Sequence, residues 1–184
     1  MVLVIVLVVV VVALVIGSVA VYNGLIRSKN QVENAWSQID VQLKRRLDLI
    51  PNLVETVKGY AAHERETLER VVMARNAAIE APETPQDQAA ADGVLTGALR
   101  QLFALGEAYP DLKANQNFLE LQEQVTATED RVAYARQFYN DSVLSYNNKI
   151  ESVPSVFVAK ALNYSQREYF EAGEAARTAP TIEF

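Results

Sequence analysis

Histidine is the usual general base and metal ligand, and the single histidine of this chain is His63, which stands next to Glu64 on a predicted helix. A metal site inside a helical bundle takes a Glu-x-x-His motif from each of two helices. Tyr60 occupies the position where that glutamate would stand, so the motif is absent. The acidic residues further on follow an ordinary charged helix face without two-metal spacing, and they are Glu120, Glu123, Glu129 and Asp130. We therefore expect a solvent-facing histidine, no metal site and no cofactor.

Nucleophilic chemistry lacks its usual sequence signals as well. The chain has no cysteine, its serines form no Gly-x-Ser-x-Gly elbow, and its glycines form no phosphate-binding loop. The basic run Lys44-Arg45-Arg46 could bind a phosphate or an anionic lipid. However, Asp40 lies four residues before Lys44 and Asp48 three residues after Arg45, where each can pair within a helix. We favour a solvated helix face for this run and predict that the protein is not an enzyme.

Charge and composition narrow the class of protein. The formal net charge of −6 argues against nucleic acid as a partner, because a nucleic-acid-binding face is basic. Glycine and proline are sparse, at 7 and 6 of 184 residues, which is typical of a helical protein. Without cysteine there is no disulfide framework, so a reducing compartment is permitted.

Residues 1–22 contain no charged side chain and are almost entirely Val, Leu, Ile and Ala. About 20 apolar residues suffice for a helix to span a bilayer. A cleaved signal peptide is the alternative, with Ser18-Val19-Ala20 as its cleavage site. We favour an uncleaved anchor, because no basic residue precedes the run and it is longer than the roughly 7 to 15 residues of a signal core.

The flanks of this span predict its orientation. Arg27 and Lys29 follow it closely, and only the α-amino group precedes it. The positive-inside tendency therefore places the N-terminus outside and residues 27 onward in the cytoplasm.

Small residues within the span are spaced four, three and four apart, at Ala13, Gly17, Ala20 and Gly24. Such a face lets transmembrane helices approach closely, which would make the protein a homo-oligomer. Chance in a Val/Ala-rich run explains the spacing equally well.

The stretch 32–64 carries the clearest helical pattern after the span. Its apolar residues recur at steps of three and four, with Asp40 as the one polar intruder. They are Trp36, Leu43, Leu47, Ile50, Val54, Val57 and Ala61. Because proline lacks the helical donor, the helix either kinks at Pro51 or ends before it and another begins there. We favour the break, because it gives two helices of about 40 Å each that match their neighbours in length.

The whole pattern predicts an all-α protein, with a transmembrane anchor at 1–22 followed by an antiparallel four-helix bundle at 23–153. The four helices are expected at about 23–49, 51–80, 85–108 and 111–152. Thr84 is the expected N-cap of the third helix, Val72 and Ile79 are expected in the core of the second, and Gly93 and Gly97 are expected to pack closely on a neighbour.

Two further patterns concern polar residues and the region 154–184. Asparagines in or beside helices are expected to act as caps or to hydrogen-bond between helices, and Tyr139-Asn140 recurs as Tyr146-Asn147 on one helix face. The segment 155–170 either lies at the lipid interface together with the basic flank or caps the open end of the bundle. The interface residues would be Arg27, Lys29, Phe157, Lys160, Tyr164 and Arg167. The last dozen residues are expected to form a flexible tail.

Several sequence segments of this chain together resemble the LemA family. They are NAWSQIDVQLKRRLDLIPNLVETVKGYAAHE, Ala74-Arg75-Asn76, YPDLKANQNFLELQEQ, Thr128-Glu129-Asp130-Arg131 and Tyr139-Asn140. The resemblance covers residues 22–172 and implies a protein of the bacterial cytoplasmic membrane with a single span, an outside N-terminus and a cytoplasmic four-helix bundle. It adds no chemistry to the reading of the residues.

Two hypotheses on function follow. The first is a membrane-anchored interaction or scaffold module that contacts a cytoplasmic protein partner and self-associates. The second is a membrane-shaping or lipid-sensing protein that uses the segment 155–170.

Overall fold

The computed structural model describes residues 1–171, in which the chain is all-α and contains no strand. Six helices account for most of it: α1 Val2–Lys58, α2 Arg65–Glu80, α3 Pro85–Ala108, α4 Pro110–Lys113, α5 Gln116–Glu151 and α6 Ser155–Ala161. The expected flexible tail lies outside the described residues. The predicted fold class, a long apolar N-terminal helix followed by a helical bundle, is confirmed.

The predicted helix break at Pro51 is wrong, because α1 continues through this residue to Lys58. In an ideal helix the amide of residue 51 would donate to the carbonyl of Leu47, and proline has no amide hydrogen to give. Arg75 of α2 supplies the missing donor, since its Nε lies 3.0 Å from the Leu47 oxygen. The helix therefore keeps its hydrogen bonding across the proline through a tertiary contact.

The first helix ends instead at Lys58, and residues 59–64 form the connection to α2. Two hydrogen bonds hold this connection: the Tyr109 hydroxyl donates to Glu64 at 2.9 Å, and the Asn115 amide donates to the Tyr60 hydroxyl at 2.9 Å. His63 lies here and is exposed, as expected, but it is not on a helix.

The chain divides into two compact units. The first comprises residues 1–37, which include the first part of α1, and residues 138–168. The Trp36 and Tyr139 rings are 5.5 Å apart, and a Cβ at Gly24 would lie 3.5 Å from the Lys149 side chain. Because residue numbers rise on one helix as they fall on the other, α5 runs antiparallel to α1 in this unit.

The second unit comprises residues 38–137 with residues 169–171 of the described chain. Helices α1, α2, α3, α4 and α5 all contribute side chains to its core. Each helix therefore buries its apolar face only by packing against the others. The buried members of the core are Ile50, Leu53, Val57, Ala61, Leu68, Val71, Ala74, Leu95, Leu99, Leu102, Leu112, Phe118 and Val125.

The buried stripe of α1 is rotated from the predicted one. Its members are Val32, Ala35, Ile39, Leu43, Arg46, Ile50, Leu53 and Val57. Trp36, Leu47 and Val54 lie half-buried on its flank. The polar residue inside the stripe is thus Arg46 and not Asp40.

Other packing predictions are also corrected. Val72 and Ile79 are exposed, and a Cβ at Gly93 or Gly97 would meet nothing within 4 Å. The glycine of α3 that does permit close packing is Gly106, where a Cβ would lie 2.9 Å from the Phe118 ring.

The capping predictions are confirmed at two helices. Thr84 Oγ accepts from the Asp87 amide at 3.2 Å, and Asn115 Oδ1 accepts from the Phe118 amide at 2.9 Å. Each side chain satisfies an amide that a helix start leaves without a partner. After α6, Asn163 adopts a positive φ of 53°, a conformation that asparagine tolerates and that ends the helix.

Candidate functional site

The predicted self-association face lies on the apolar stretch of α1, which is long and apolar enough to cross a membrane and is not buried within the protein. Ala13, Gly17 and Ala20 are exposed, and a Cβ at Gly17 would meet nothing within 4 Å. Gly24 differs, because the Lys149 side chain already covers it. The open part of this face therefore ends at Ala20.

The short helix α6 has an inner and an outer face. Ala159 is buried, whereas Phe157 is 68% exposed and Val153, just before the helix, is 77% exposed. Leu162 and Lys160 are exposed as well. This segment therefore contacts its unit through one side and presents large apolar side chains and a cation on the other.

The predicted self-association face of α1 and the residues predicted to lie at the lipid interface both belong to the first unit. Gly24 lies beside Lys149, two residues before α5 ends at Glu151. Because α6 begins four residues after that end, it starts near the part of α1 where the apolar stretch gives way to Arg27. The C-terminal end of α5 thus lies beside the part of α1 that directly precedes Arg27.

Two of the predicted interface cations, Lys29 and Arg167, are engaged in ion pairs, and Arg27 binds a backbone carbonyl. Lys29 and Arg167 approach the same carboxylate oxygen of Glu33, at 3.7 and 3.6 Å. Arg27 is exposed and its Nε donates to the Asn23 carbonyl at 3.3 Å. Exposed pairs of this kind contribute at most about 1 kcal/mol each, so these side chains can be released to another partner.

After α6 the chain crosses back over α5 as a segment without regular secondary structure, residues 164–168, here called the strap. The Tyr146 hydroxyl donates to the Ser165 carbonyl at 3.1 Å, and the Tyr139 hydroxyl donates to the Glu168 carbonyl at 2.9 Å. The two tyrosines of the repeated Tyr-Asn dipeptide therefore hold the two ends of the strap.

Asn147 binds the strap between these points through both ends of its amide. Its Nδ2 donates to the Arg167 carbonyl at 3.0 Å, and its Oδ1 accepts from the Arg167 amide at 2.9 Å. Tyr164 is half-buried, with its ring 6.5 Å from that of Tyr146 in an edge-on arrangement. The asparagine predicted to hydrogen-bond between helices instead binds a backbone outside the helices.

Burial raises the pKa of both Tyr139 and Tyr146, and the positive charge of Arg167 partly opposes this rise. Both hydroxyls therefore remain protonated donors at neutral pH.

The strap is the part of the candidate site that the sequence did not reveal. Tyr164 and Arg167 were assigned to a lipid interface, and the structure places both against α5 or α1 of the first unit. The repeat of Tyr-Asn seven residues apart was the available signal, because it places equivalent side chains on one helix face. The Tyr-Asn repeat does not indicate what this helix face binds.

The second unit contains a buried ion cluster around Arg46, whose side chain is 1% exposed. Its Nη1 donates to Asp92 at 2.8 Å and to Thr96 at 3.0 Å, and its Nη2 donates to Glu129 at 3.3 Å. The prediction of a solvated face is wrong for Arg46. It is right for Lys44, which pairs with Asp40 at 2.8 Å.

Burial raises the pKa of Asp92, and the charge of Arg46 opposes the rise. Asp92 lies on α3 at the same spacing as the apolar residues of its core stripe. The cluster therefore joins three helices at core positions, and the polar partners on α1 and α3 depend on each other.

An apolar groove of about 470 Å³ lies between α2 and α3. Met73 and Val94 project beside it and are 70% and 62% exposed. Ala74, Ala77, Gly97 and Ala98 also line it. Side chains of this size and exposure are unusual on a soluble helical surface when they adjoin each other.

Within residues 1–171, no group of three or more His, Asp or Glu side chains is placed to hold a metal ion. A more polar groove exists near the start of α5, lined by side chains that include Glu55, Thr56, Asn117 and Gln124. The larger apolar surfaces are those of the first helix, α6 and the α2–α3 groove.

These features define a class of protein: an all-α chain in which a helix able to cross a membrane continues into a helical bundle. The chain belongs to the LemA family, whose model matches residues 35–184. Protein LemA of Metamycoplasma hominis is 30% identical over 158 residues, covering 84% of this chain and 71% of the relative. Magnetosome protein MamQ 2 of Paramagnetospirillum magneticum and magnetosome protein MamQ of Magnetospirillum gryphiswaldense are each 24% identical over 182 residues, covering 85% of this chain and 67% of each relative. The chain is thus a LemA-type, membrane-associated protein.

Proposed function

We propose that this protein is a membrane-anchored interaction module that assembles with copies of itself, with its N-terminus outside a bacterial cytoplasmic membrane and its bundle in the cytoplasm. Arg27 and Lys29 directly after the apolar stretch support this orientation. The bundle then offers its exposed surfaces to further copies and to a cytoplasmic protein partner.

The observation that carries the proposal is the α2–α3 groove. Met73 and Val94 project from it, while Ala77 and Gly97 leave space in it. A patch that contains both projections and depressions can be complementary to itself, as a two-fold interface requires. The occupant we propose is therefore the same groove of a second copy.

The anchor supports the same assembly. Ala13, Gly17 and Ala20 form an exposed small-residue face on a helix with room beside Gly17, and such faces allow close helix approach in a bilayer. Two copies anchored in one membrane also meet at a high effective concentration.

The test is the mass of the complexes captured by cross-linking in intact membranes. Met73→Glu should shift the distribution toward the monomer, because a charge would be buried at the centre of the interface. Asn76→Glu, at an exposed position of α2 that does not line the groove, adds the same charge and should leave the distribution unchanged. Gly17→Leu tests the anchor face separately. If neither Met73→Glu nor Gly17→Leu changes the masses, self-association through these faces is excluded.

A second function is favoured by the outer face of α6. Val153 and Phe157 are exposed apolar residues beside the cation Lys160, at the end of the unit where the apolar stretch of α1 ends. This combination suits the boundary between headgroups and acyl chains. We propose that α6 lies on the lipid surface and senses its composition.

Because the chain has no native cysteine, a single label can test this contact. A polarity-sensitive fluorophore on Val153→Cys, in the full chain reconstituted in bilayers, should be protected from an aqueous quencher. The same label on Ser37→Cys, an exposed position of α1 in the same unit, should be quenched freely. Equal quenching at the two positions would rule out lipid contact by α6.

A further inference from the structure

The face of α5 that carries Tyr139, Tyr146 and Asn147 binds the strap through its backbone. Its three side chains make four hydrogen bonds, to the carbonyls of residues 165, 167 and 168 and to the amide of residue 167. Every strap atom in these bonds belongs to the main chain. The face therefore recognises a peptide backbone and places little demand on the side chains that the peptide carries.

The spacing of the contacts matches an extended peptide. The two tyrosines are seven residues apart on α5, which is about 10.5 Å along a helix. Their acceptors, on Ser165 and Glu168, are three residues apart, which is about 10 Å in an extended chain. The spacing of the two donors on α5 thus matches the spacing of their acceptors on the strap, and the strap runs antiparallel to α5.

The side-chain contacts that bind the strap in this unit are weak and peripheral. Arg167 pairs with Glu33 at 3.6 Å between half-exposed groups, and Gln166 donates to Glu151 at the surface. Exposed pairs of this kind add little to stability. The half-buried Tyr164 ring, edge-on to Tyr146, is the further side-chain contact of the strap. The strap is therefore held mainly by four backbone hydrogen bonds and one ring contact, which a peptide with tyrosine at the equivalent position could replace.

We propose that this face of α5 is a binding site for an extended peptide, and that the strap of a second copy can replace the chain's own strap in it. The replacing strap makes the same four backbone hydrogen bonds and the same Glu33 pair, so the exchange loses no contact. Exchange of an identical segment is a low-cost route to association between copies. This inference stands apart from the α2–α3 groove and the anchor face, which are on other surfaces.

The probe is a fluorescent synthetic peptide of residues 162–168, added to the full chain in detergent or bilayers. Arg167→Pro in the chain removes the amide that Asn147 accepts from and should free the site, whereas Arg167→Ala keeps that amide and removes only the ion pair. One hydrogen bond of ordinary strength corresponds to about two- to tenfold in affinity. The peptide should therefore bind at least about twofold more tightly to the Arg167→Pro chain than to the Arg167→Ala chain.

The site is assigned by adding a second substitution to Arg167→Pro. Asn147→Leu should abolish peptide binding, while Asn148→Leu, the same change at the exposed neighbouring position, should leave it intact. Equal binding to the proline and alanine variants, or binding that survives Asn147→Leu, overturns the proposal.

A measurement on the unaltered chain covers the case in which Arg167→Pro loses helical content. Excess peptide should displace the chain's own strap, so the amide of Arg167 should exchange with deuterium faster as peptide concentration rises. A rate that does not change at saturating peptide overturns the proposal. Because a peptide in solution is measured, this result does not depend on the oligomeric state in the membrane.

Discussion

Arg75 donates a hydrogen bond to the carbonyl oxygen of Leu47, the group that Pro51 leaves without a partner in α1. The distance of 3.0 Å is that of an ordinary N–H···O bond. A side chain of α2 therefore allows α1 to continue through a proline.

Arg75→Met should lower the free energy of unfolding by about 1 to 3 kcal/mol, because a part-buried carbonyl loses its donor. In a Pro51→Ala background the new amide can donate to Leu47, so the same substitution should cost less. A denaturant-unfolding double-mutant cycle measures the difference. Arg70→Met, at an exposed pair on the same helix, should cost no more than about 1 kcal/mol in either background. Equal costs of Arg75→Met in the two backgrounds would contradict the assignment.

Arg46→Leu should be among the most destabilising changes in the second unit, at about 3 to 5 kcal/mol, because it leaves Asp92 buried without its cation. The double variant Arg46→Leu with Asp92→Leu should recover most of this loss, since both buried charges are then gone. Chemical denaturation of the two variants tests the prediction. If the double variant is as unstable as Arg46→Leu, the loss of stability is due to packing shape and not to the buried charge.

The pH dependence of the Arg46→Leu variant follows from Asp92. Burial raises the pKa of Asp92 and Arg46 opposes the rise, so removing Arg46 should raise that pKa further. A carboxyl whose folded-state pKa lies above its unfolded value binds more protons when folded, so stability falls as pH rises through the folded value. The variant should therefore lose more stability than the Arg46→Leu, Asp92→Leu double variant as the pH rises from the unfolded value of an aspartate, about 4, towards the raised folded value. Parallel pH curves for the two variants would refute this.

Replacing the three glycines of α3 with alanine, one at a time, should lower the stability at one position and raise it at the other two. Gly106→Ala places a methyl group 2.9 Å from the ring of Phe118, which is itself edge-on to Phe103, and should cost about 1 to 3 kcal/mol. Gly93→Ala and Gly97→Ala meet open space and should each stabilise the helix by up to about 1 kcal/mol. Thermal unfolding of the three variants is the measurement. A destabilising Gly97→Ala in the membrane-bound protein, but not in dilute detergent, would locate a second copy in the α2–α3 groove.

Loss of the strap contacts is expected at alkaline pH. The pKa of Tyr139 and of Tyr146 is raised in the folded state, so their contribution is complete below the unfolded value of about 10 and is lost as pH rises through the folded values. Replacing both with Phe should cost about 0.5 to 1.5 kcal/mol per hydroxyl at neutral pH and reduce the alkaline loss. Tyr134→Phe, at an exposed tyrosine of the same helix, is the control and should change neither. Hydrogen exchange of residues 164–168 against pH provides the readout.

The sequence by itself determined the features that depend on local pattern. An apolar run without charges, helical spacing in 32–64, and the caps at Thr84 and Asn115 each arise from a residue and its near neighbours. The LemA resemblance extended the same information along the chain. For this reason the all-α class with an N-terminal apolar helix could be predicted before any contact was known.

Only the tertiary structure decided the features that depend on a distant partner. Pro51 lies inside a helix because Arg75 is nearby, and Arg46 is buried because Asp92 enters the core from α3. The Tyr-Asn repeat could be recognised as one face, but its binding of the strap required the return of the chain after α6. Proline and charge are placed outside helix cores by local rules, and a single well-placed hydrogen-bond donor or counterion from another helix is enough to reverse those rules.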